Sequence, residues 1–291
     1  MGPVSLALFA PGDDFYPTLD SIQYMRHCLT ISELIRDYVT FHIFFAEADL
    51  PLGNMPQTEE EALKWPYDCS AMFAPYDNLS KSRLYKNKNK ISLPINVGRN
   101  VARTSANTHF ILSADIELYP SLDLINQFLQ LVANNKKLLG GKDKPRVFAM
   151  PVFDLDSNAV VPDNKEELMG MYDMGFAVPV HAKSCSYCSL IPGQDKWLAA
   201  KDKHRLEVLT VVHRYSNMPF WEPFFIGDNS VPEYDERLSW DRKSDKPFLT
   251  HAPGPKPFDP KGNRMETVDG KVNYLLKEYD ENYGINDKCE I

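Results

Sequence analysis

No run of 18 apolar residues occurs anywhere in the chain, so no segment has the length and apolarity of a membrane-spanning helix. No basic-then-apolar leader opens it either. Basic residues are in deficit, 32 against 40 acidic, and the net charge of −8 argues against broad nucleic-acid binding, which needs a basic face. Cysteine is sparse: Cys28, Cys69, Cys185, Cys188 and Cys289 are too few for a disulfide scaffold. Cys185 and Cys188 form one C-x-x-C with no second pair. Two thiolates leave a tetrahedral zinc site incomplete, so a disulfide or two structural cysteines is the plainer reading. There is also no G-x-S-x-G, which disfavours a serine hydrolase, and no internal repeat or low-complexity tract.

What is present is ordinary for a globular protein: 291 residues, 43% hydrophobic and 25% charged, enough chain to bury a core. The 22 prolines gather in "APGDDFYP", "DLPLGNMP" and "HAPGPKPFDP", which read as loops because proline lacks the donor that helix and sheet interiors use. Asn78-Leu79-Ser80 fits a glycosylation acceptor triplet. "VSLALFA" (4–10) and "YVTFHIFFA" (38–46) read as strands. Between them, residues 18–37 place Leu19, Ile22, Met25, Leu29 and Leu34 near helical spacing, with Thr18 as N-cap. Strand, helix and strand in 45 residues predict a βαβ unit and an α/β fold. Further on, "HFILSA" reads as a buried strand and "RVFAMPVFDL" (146–155) as another. Between them lies a helix capped by Ser121, with Leu124, Ile125, Phe128, Leu129 and Val132 as its apolar stripe. A short helix is expected near "VNYLLKEY". One domain over residues 1–255 and a tail over 256–291 complete the organisation.

Three features carry chemistry. In "HFILSADIELYPS", Asp115 and Glu117 follow a strand directly, the D-x-E spacing that puts two hard oxygen ligands on one turn. In open α/β sheets that end of the strand is where ligands bind. Alone, such a pair is more often merely solvated. In "NVGRNVAR", Arg99 and Arg103 share a helix face beside Asn96 and Asn100; a guanidinium fork matches phosphate or carboxylate, while two surface arginines are the plainer alternative. In "FWEPFFIGD", Glu222 lies among aromatics, where desolvation raises a carboxyl pKa toward general-base work; a core aromatic cluster with one paired glutamate is the alternative. The basic run "KSRLYKNKNK" reads as a solvated face or the approach of an anionic ligand.

"LPINVGRNVAR", "HFILSADIELYPS", "VFAMPVFDL", "KEEL", "CSYCSLIPGQDKW", "FWEPFFIG" and "VPEYDERL" occur in the same order in glycosyltransferase family 49. The chain resembles that family, in particular its glucuronyltransferase members, over residues 2 to 255. The resemblance implies a GT-A fold, a Rossmann-like α/β domain in which a D-x-D metal, normally Mn²⁺, binds a UDP-sugar. It assigns Asp115 and Glu117 to the metal, with Asp115 also on the donor, and His251 of "FLTHAPGPK" as third ligand. Arg99, Asn100 and Arg103 fall to the nucleotide or donor sugar, and Glu222 or Asp235 to the acceptor base. The implied reaction is inverting transfer of a sugar, glucuronate preferred, to a glycan or glycoprotein acceptor such as terminal xylose, in the Golgi. N-acetylglucosamine transfer to galactose and a non-catalytic partner chain are the alternatives. Relatives carry an anchor, a stem and a further strand ahead of "GPVSLALFAPG", and about two dozen residues between "DRKSDK" and "FLTH", more than an ordinary connection. The expectation is therefore a GT-A fold truncated at its N-terminus and with an internal deletion near its C-terminus.

Overall fold

The computed structural model describes residues 2–77, 79–139, 146–180, 182, 191–211, 223–234 and 236. Asn78, Cys185 and Cys188, the helix near "VNYLLKEY", the junction before "FLTH" and the 256–291 tail lie outside them. The described residues form two compact units, one running to Thr108 and one beginning at His109.

The first unit opens with the expected βαβ arrangement. Strand β1 (Val4–Phe9) is followed by helices α1 (Phe15–His27) and α2 (Ser32–Tyr38), then strand β2 (Val39–Phe44). The strands pair in parallel from Val4↔Val39 to Phe9↔Phe44, as a helical crossover requires. The single helix expected over 18–37 is two. Helix α1 starts ahead of Thr18, whose hydroxyl donates back to the Asp14 carbonyl at 2.8 Å instead of capping. The break falls at 28–31, where the Ser32 hydroxyl accepts the Leu29 N–H and donates to the Met25 carbonyl, both at 2.9 Å. There Cys28 is also tied to Cys69 by a disulfide.

That disulfide is the last of a row of attachments along α1. The Tyr16 hydroxyl donates to the Leu52 carbonyl at 2.9 Å, and the Trp65 indole donates to Asp20 at 2.8 Å. The Gln23 amide donates to the Ala62 carbonyl, and Tyr24 meets Tyr76 edge-on. His27 stacks on Tyr67 with ring centroids 4.1 Å apart. Positions 16, 20, 23, 24 and 27 fall on one helix face at three- and four-residue spacing, so residues 47–77 lie along that face. Phe15, Leu19 and Ile22 are buried on another. A short helix α3 (Glu59–Leu63) within this segment is capped by Thr58, whose hydroxyl accepts the Glu61 N–H.

Helices α4 (Tyr85–Lys88) and α5 (Ile95–Thr104) complete the unit. Helix α5 packs on the strand pair through its smallest residues. The Ser5 hydroxyl donates to the Ala102 carbonyl at 2.6 Å, and a Cβ on Gly98 would stand 3.0 Å from the Phe44 ring.

The second unit contains β3 (Ile111–Leu112), α6 (Leu124–Asn134), β4 (Phe148–Met150), β5 (Phe153–Leu155), α7 (Lys165–Asp173), β6 (Ala177–Pro179), α8 (Gln194–Ala199) and β7 (Phe224–Gly227). Strand β7 lies between β3 and β4 and runs antiparallel to both; β5 pairs antiparallel with β6. The strand expected over 146–155 is thus two strands in two sheets, divided at Pro151, which cannot donate to a continuous ladder. Phe128 sits between Phe110 and Phe148, edge-on to each at 5.0 Å, and packs with Val132 and Ile226 as the core. The buried line of α6 is Leu124, Phe128 and Val132, while Ile125 and Leu129 remain 50% and 47% exposed. One row at four-residue spacing reaches this sheet, so the apolar stripe is narrower than its sequence pattern. Ser121 does not cap α6 with its side chain; Asp123, at φ 59°, occupies the cap position.

Asn164 caps α7 by accepting the Glu167 N–H at 2.9 Å while Glu167 accepts the Asp163 N–H at 2.9 Å, close to a capping box. The Lys165 ammonium donates to the Trp197 and Ala200 carbonyls at the end of α8 and lies 4.3 Å from the Trp197 ring centre. A cation at a helix C-terminus is favourable. Burial pulls this lysine's pKa below its ordinary value, against the opposing pull of Asp202.

Two outcomes are expected from this packing. The disulfide closes a loop with a sequence separation of 41. Replacing both Cys28 and Cys69 by Ser is expected to lower unfolding free energy by about 4 kcal/mol in the chain-entropy account, read as an earlier urea midpoint. Gly98→Val forces two methyl groups toward Phe44 and should cost ~1–3 kcal/mol by the same measurement, as overpacking does.

Candidate active site

Helix α5 brings together four of the polar residues singled out in the sequence. Asn96, Arg99, Asn100 and Arg103 form one stripe at i, i+3, i+4 and i+7, and all four are buried; each arginine is only 6% exposed. The Gly98–Ala102 side of the helix meets the strands, and the polar stripe occupies another side. The alternative of two surface arginines is therefore overturned. The Arg99 guanidinium donates to the Asn96 side-chain oxygen at 3.3 Å, and none of the four lacks an interaction partner. Burying an unpaired guanidinium costs several kcal/mol, so cations held this way have their surroundings fixed in advance. Preorganised cations of this kind suit recognition of phosphate or carboxylate.

Asp115 and Glu117 lie in the second unit, on the turn that leaves β3. The Leu118 N–H donates to the Asp115 carbonyl at 3.1 Å, closing a four-residue turn whose first and third residues are the two acids. Asp115 is half-buried with interaction partners of its own, and Glu117 is exposed. Ile116 between them is 78% exposed. The pair thus stands at the carboxyl end of a sheet strand, as its sequence position led us to expect. Two carboxylates on one tight turn are hard oxygen donors suited to Mn²⁺ or Mg²⁺, which leave places for substrate phosphates. Among the described residues, no group of three His, Cys, Asp or Glu is placed to hold a metal.

His251, Glu222 and Asp235 lie outside the described residues. Pro223 and the strand that follows do not, and "FFIG", read from the sequence only as a compact aromatic segment, is the central strand β7. Its carboxyl end carries an acid that sequence reasoning passed over. Asp228 accepts the N–H and hydroxyl of Ser230 and approaches His109 at 3.9 Å. Because β3 and β7 are antiparallel, Asp228 sits at the opposite end of the pair from Asp115. Its signal was an acid ending an apolar run, the same signal that drew attention to Asp115.

Comparison with known proteins supplies the family. The family model described as glycosyl-transferase for dystroglycan matches residues 1–251. Beta-1,4-glucuronyltransferase 1 of Danio rerio is 29% identical over 240 residues, which is 80% of this chain and 52% of that protein. The Homo sapiens protein of the same name is 27% identical over 148 residues, 51% of this chain and 33% of that one. The xylosyl- and glucuronyltransferase LARGE2s of Gallus gallus is 26% identical over 155 residues, 52% of this chain and 19% of its own length. The chain spans about half the length, or less, of the curated relatives it matches. With a match over most of its length, on a mixed helix and strand framework that carries an acid pair at a strand end, this chain belongs to the family of glycosyl-transferases for dystroglycan.

Proposed function

We propose that the chain is a GT-A glycosyltransferase that moves a sugar from a UDP-sugar to a glycan acceptor with inversion, and that glucuronate is the sugar. The observation that carries this reading is the Asp115–Glu117 turn at the carboxyl end of β3, in a chain of this family. The names of the relatives, glucuronyltransferases and a xylosyl- and glucuronyltransferase, favour a glucuronosyl donor over N-acetylglucosamine. Terminal xylose on a glycan or glycoprotein is the proposed acceptor.

Asp115 and Glu117 are assigned to hold Mn²⁺, with His251 as a third ligand by resemblance. When bound, the ion supplies charge neutralisation at the departing diphosphate. Arg99, Asn100 and Arg103 are assigned to the donor's anionic groups, where buried guanidinium groups need no reorganisation to meet charge. Glu222 or Asp235 is assigned to take the proton of the acceptor hydroxyl as its oxygen attacks the anomeric carbon from the face opposite UDP. The C1–O bond to UDP breaks as the new glycosidic bond forms. The Cys28–Cys69 disulfide supports a secretory compartment, since such bonds persist where the surroundings are oxidising, and the Golgi lumen is the proposed location. No helix among the described residues is long and apolar enough to cross a membrane.

The test is release of UDP from UDP-glucuronate by the full chain, with and without xylose-terminated acceptor and Mn²⁺. Turnover is expected only with the metal, faster for UDP-glucuronate than for UDP-N-acetylglucosamine. Asp115→Asn is expected to lower it by at least ~100-fold, the scale for losing one preorganised charge-stabilising group. No binding of either UDP-sugar at millimolar concentration, in a chain that unfolds cooperatively, would overturn the proposal.

A further inference from the structure

We propose that the segment Lys81–Lys90 is a docking surface for an anionic carbohydrate chain, one that carries uronate carboxylates along its length. The inference rests on the transferase reading above, because transfer of glucuronate leaves a carboxylate on every product. A glycan already bearing such sugars offers repeated negative charge.

Charge is the first observation. Between Asp77 and Asp115 the sequence holds no acid at all, in a chain whose net charge is −8. Lys81, Arg83, Lys86, Lys88 and Lys90 fall within ten residues of that stretch. Among the described residues no ion pair joins the side chain of any of the five to a carboxylate. Lys81, Arg83, Lys88 and Lys90 are exposed.

Rigidity is the second. The two oxygens of the buried Asp14 carboxylate accept the backbone N–H groups of Tyr85 and Lys86 at 2.6 and 3.0 Å. The Asn87 side chain donates to the Lys81 carbonyl, and that of Asn89 donates to the Tyr85 carbonyl at 3.0 Å. Past α4 the Ile91 N–H returns to the Lys86 carbonyl at 2.8 Å, with Lys90 at φ 55°. That is a Schellman closure with lysine where glycine is the less strained residue. The five cations are carried on a fixed backbone, so little ordering is left to oppose binding.

Position is the third. Asp14 follows β1, and Asp49, which accepts the Tyr85 hydroxyl at 3.3 Å, follows β2. The basic segment is therefore fastened to the loops at the carboxyl ends of both parallel strands, the edge where open α/β sheets bind ligands. A nucleoside diphosphate brings its charge to one point. Cations spread over residues 81 to 90 fit a ligand whose charge repeats along a chain.

The experiment compares the full chain with a variant carrying Lys81→Gln, Arg83→Gln, Lys88→Gln and Lys90→Gly. The last change relieves the left-handed position, so folding is preserved and the melt serves as control. The probe is a glucuronate oligomer, with dextran, a single-stranded DNA oligonucleotide and phosphatidylserine vesicles alongside. Wild type is expected to bind the uronate in preference to all three, and to lose about tenfold or more as salt rises from 50 to 200 mM, as multi-site ionic contacts do. The variant is expected to bind at least ~10-fold more weakly, with KM for a uronate-bearing acceptor raised and KM for the UDP-sugar unchanged, since none of the substituted residues is among those assigned to the donor. Equal binding by the variant, or uronate bound no better than dextran, overturns the proposal. Equal or tighter binding of the DNA or the vesicles also overturns it. Loss of metal-dependent turnover with uronate binding intact counts against the transferase reading alone.

Discussion

Asp14 is 5% exposed, yet its carboxylate holds the backbone of residues 71 and 72 positions further along the chain. Burial of a carboxylate is unfavourable by several kcal/mol unless donors meet it, and here two peptide N–H groups do. Each such bond to a charged group is worth roughly 1.5–3 kcal/mol, so the clip is a net constraint rather than a tolerated defect. The geometry around it leaves little freedom. Gly12, at φ 53°, lies under the Tyr85 ring so closely that an added Cβ would stand 2.6 Å from it. The loop after β1, the loop after β2 and the segment before α5 are thereby fixed to one another. The placement of α5 against the strands follows from that anchoring together with the close approach at Gly98.

The strands and helix between residues 4 and 44 were legible because their apolar spacing is local. The break in that helix was not, since it depends on a partner cysteine 41 residues away and on the Ser32 hydroxyl finding the Met25 carbonyl. Proline explains the other failure of continuity: "RVFAMPVFDL" has one composition but two strands, because Pro151 falls at the point where the chain changes sheets. "FFIG" was too short a run to distinguish a strand from any buried aromatic cluster, and only its two neighbours reveal it as the central strand.

Legibility of the site divides in the same way. The Asp115–Glu117 turn could be located from a strand pattern followed by two acids, because the geometry of a turn is local. The environment of Arg99 and Arg103 could not. Four-residue spacing says that two side chains share a face, and says nothing about what covers that face. Burial of the whole Asn96–Arg103 stripe is a property of the assembled unit, and it changes what the arginines can do. An exposed arginine is screened and mobile, while one enclosed among fixed partners presents its charge in a defined direction.

Charge also divides along the chain in a way that total charge conceals. A net −8 leads one to expect repulsion of polyanions, and as an average that expectation is sound. Screening makes the average a poor guide at short range, since at physiological salt a ligand within about 8 Å responds mainly to the charges nearest it. The segment's own charged side chains at 81–90 are all positive and none is in ion-pair contact among the described residues, while the nearby Asp14 and Asp49 carboxylates accept from its backbone and from Tyr85. The acidic majority then acts against anions arriving elsewhere, and the basic segment is favoured for them by difference. Under the docking proposed above, this arrangement is what tells a uronate-bearing chain from other polyanions. General repulsion weakens non-specific contact, and only a ligand matched to the spacing of the fixed cations recovers enough attraction to be held.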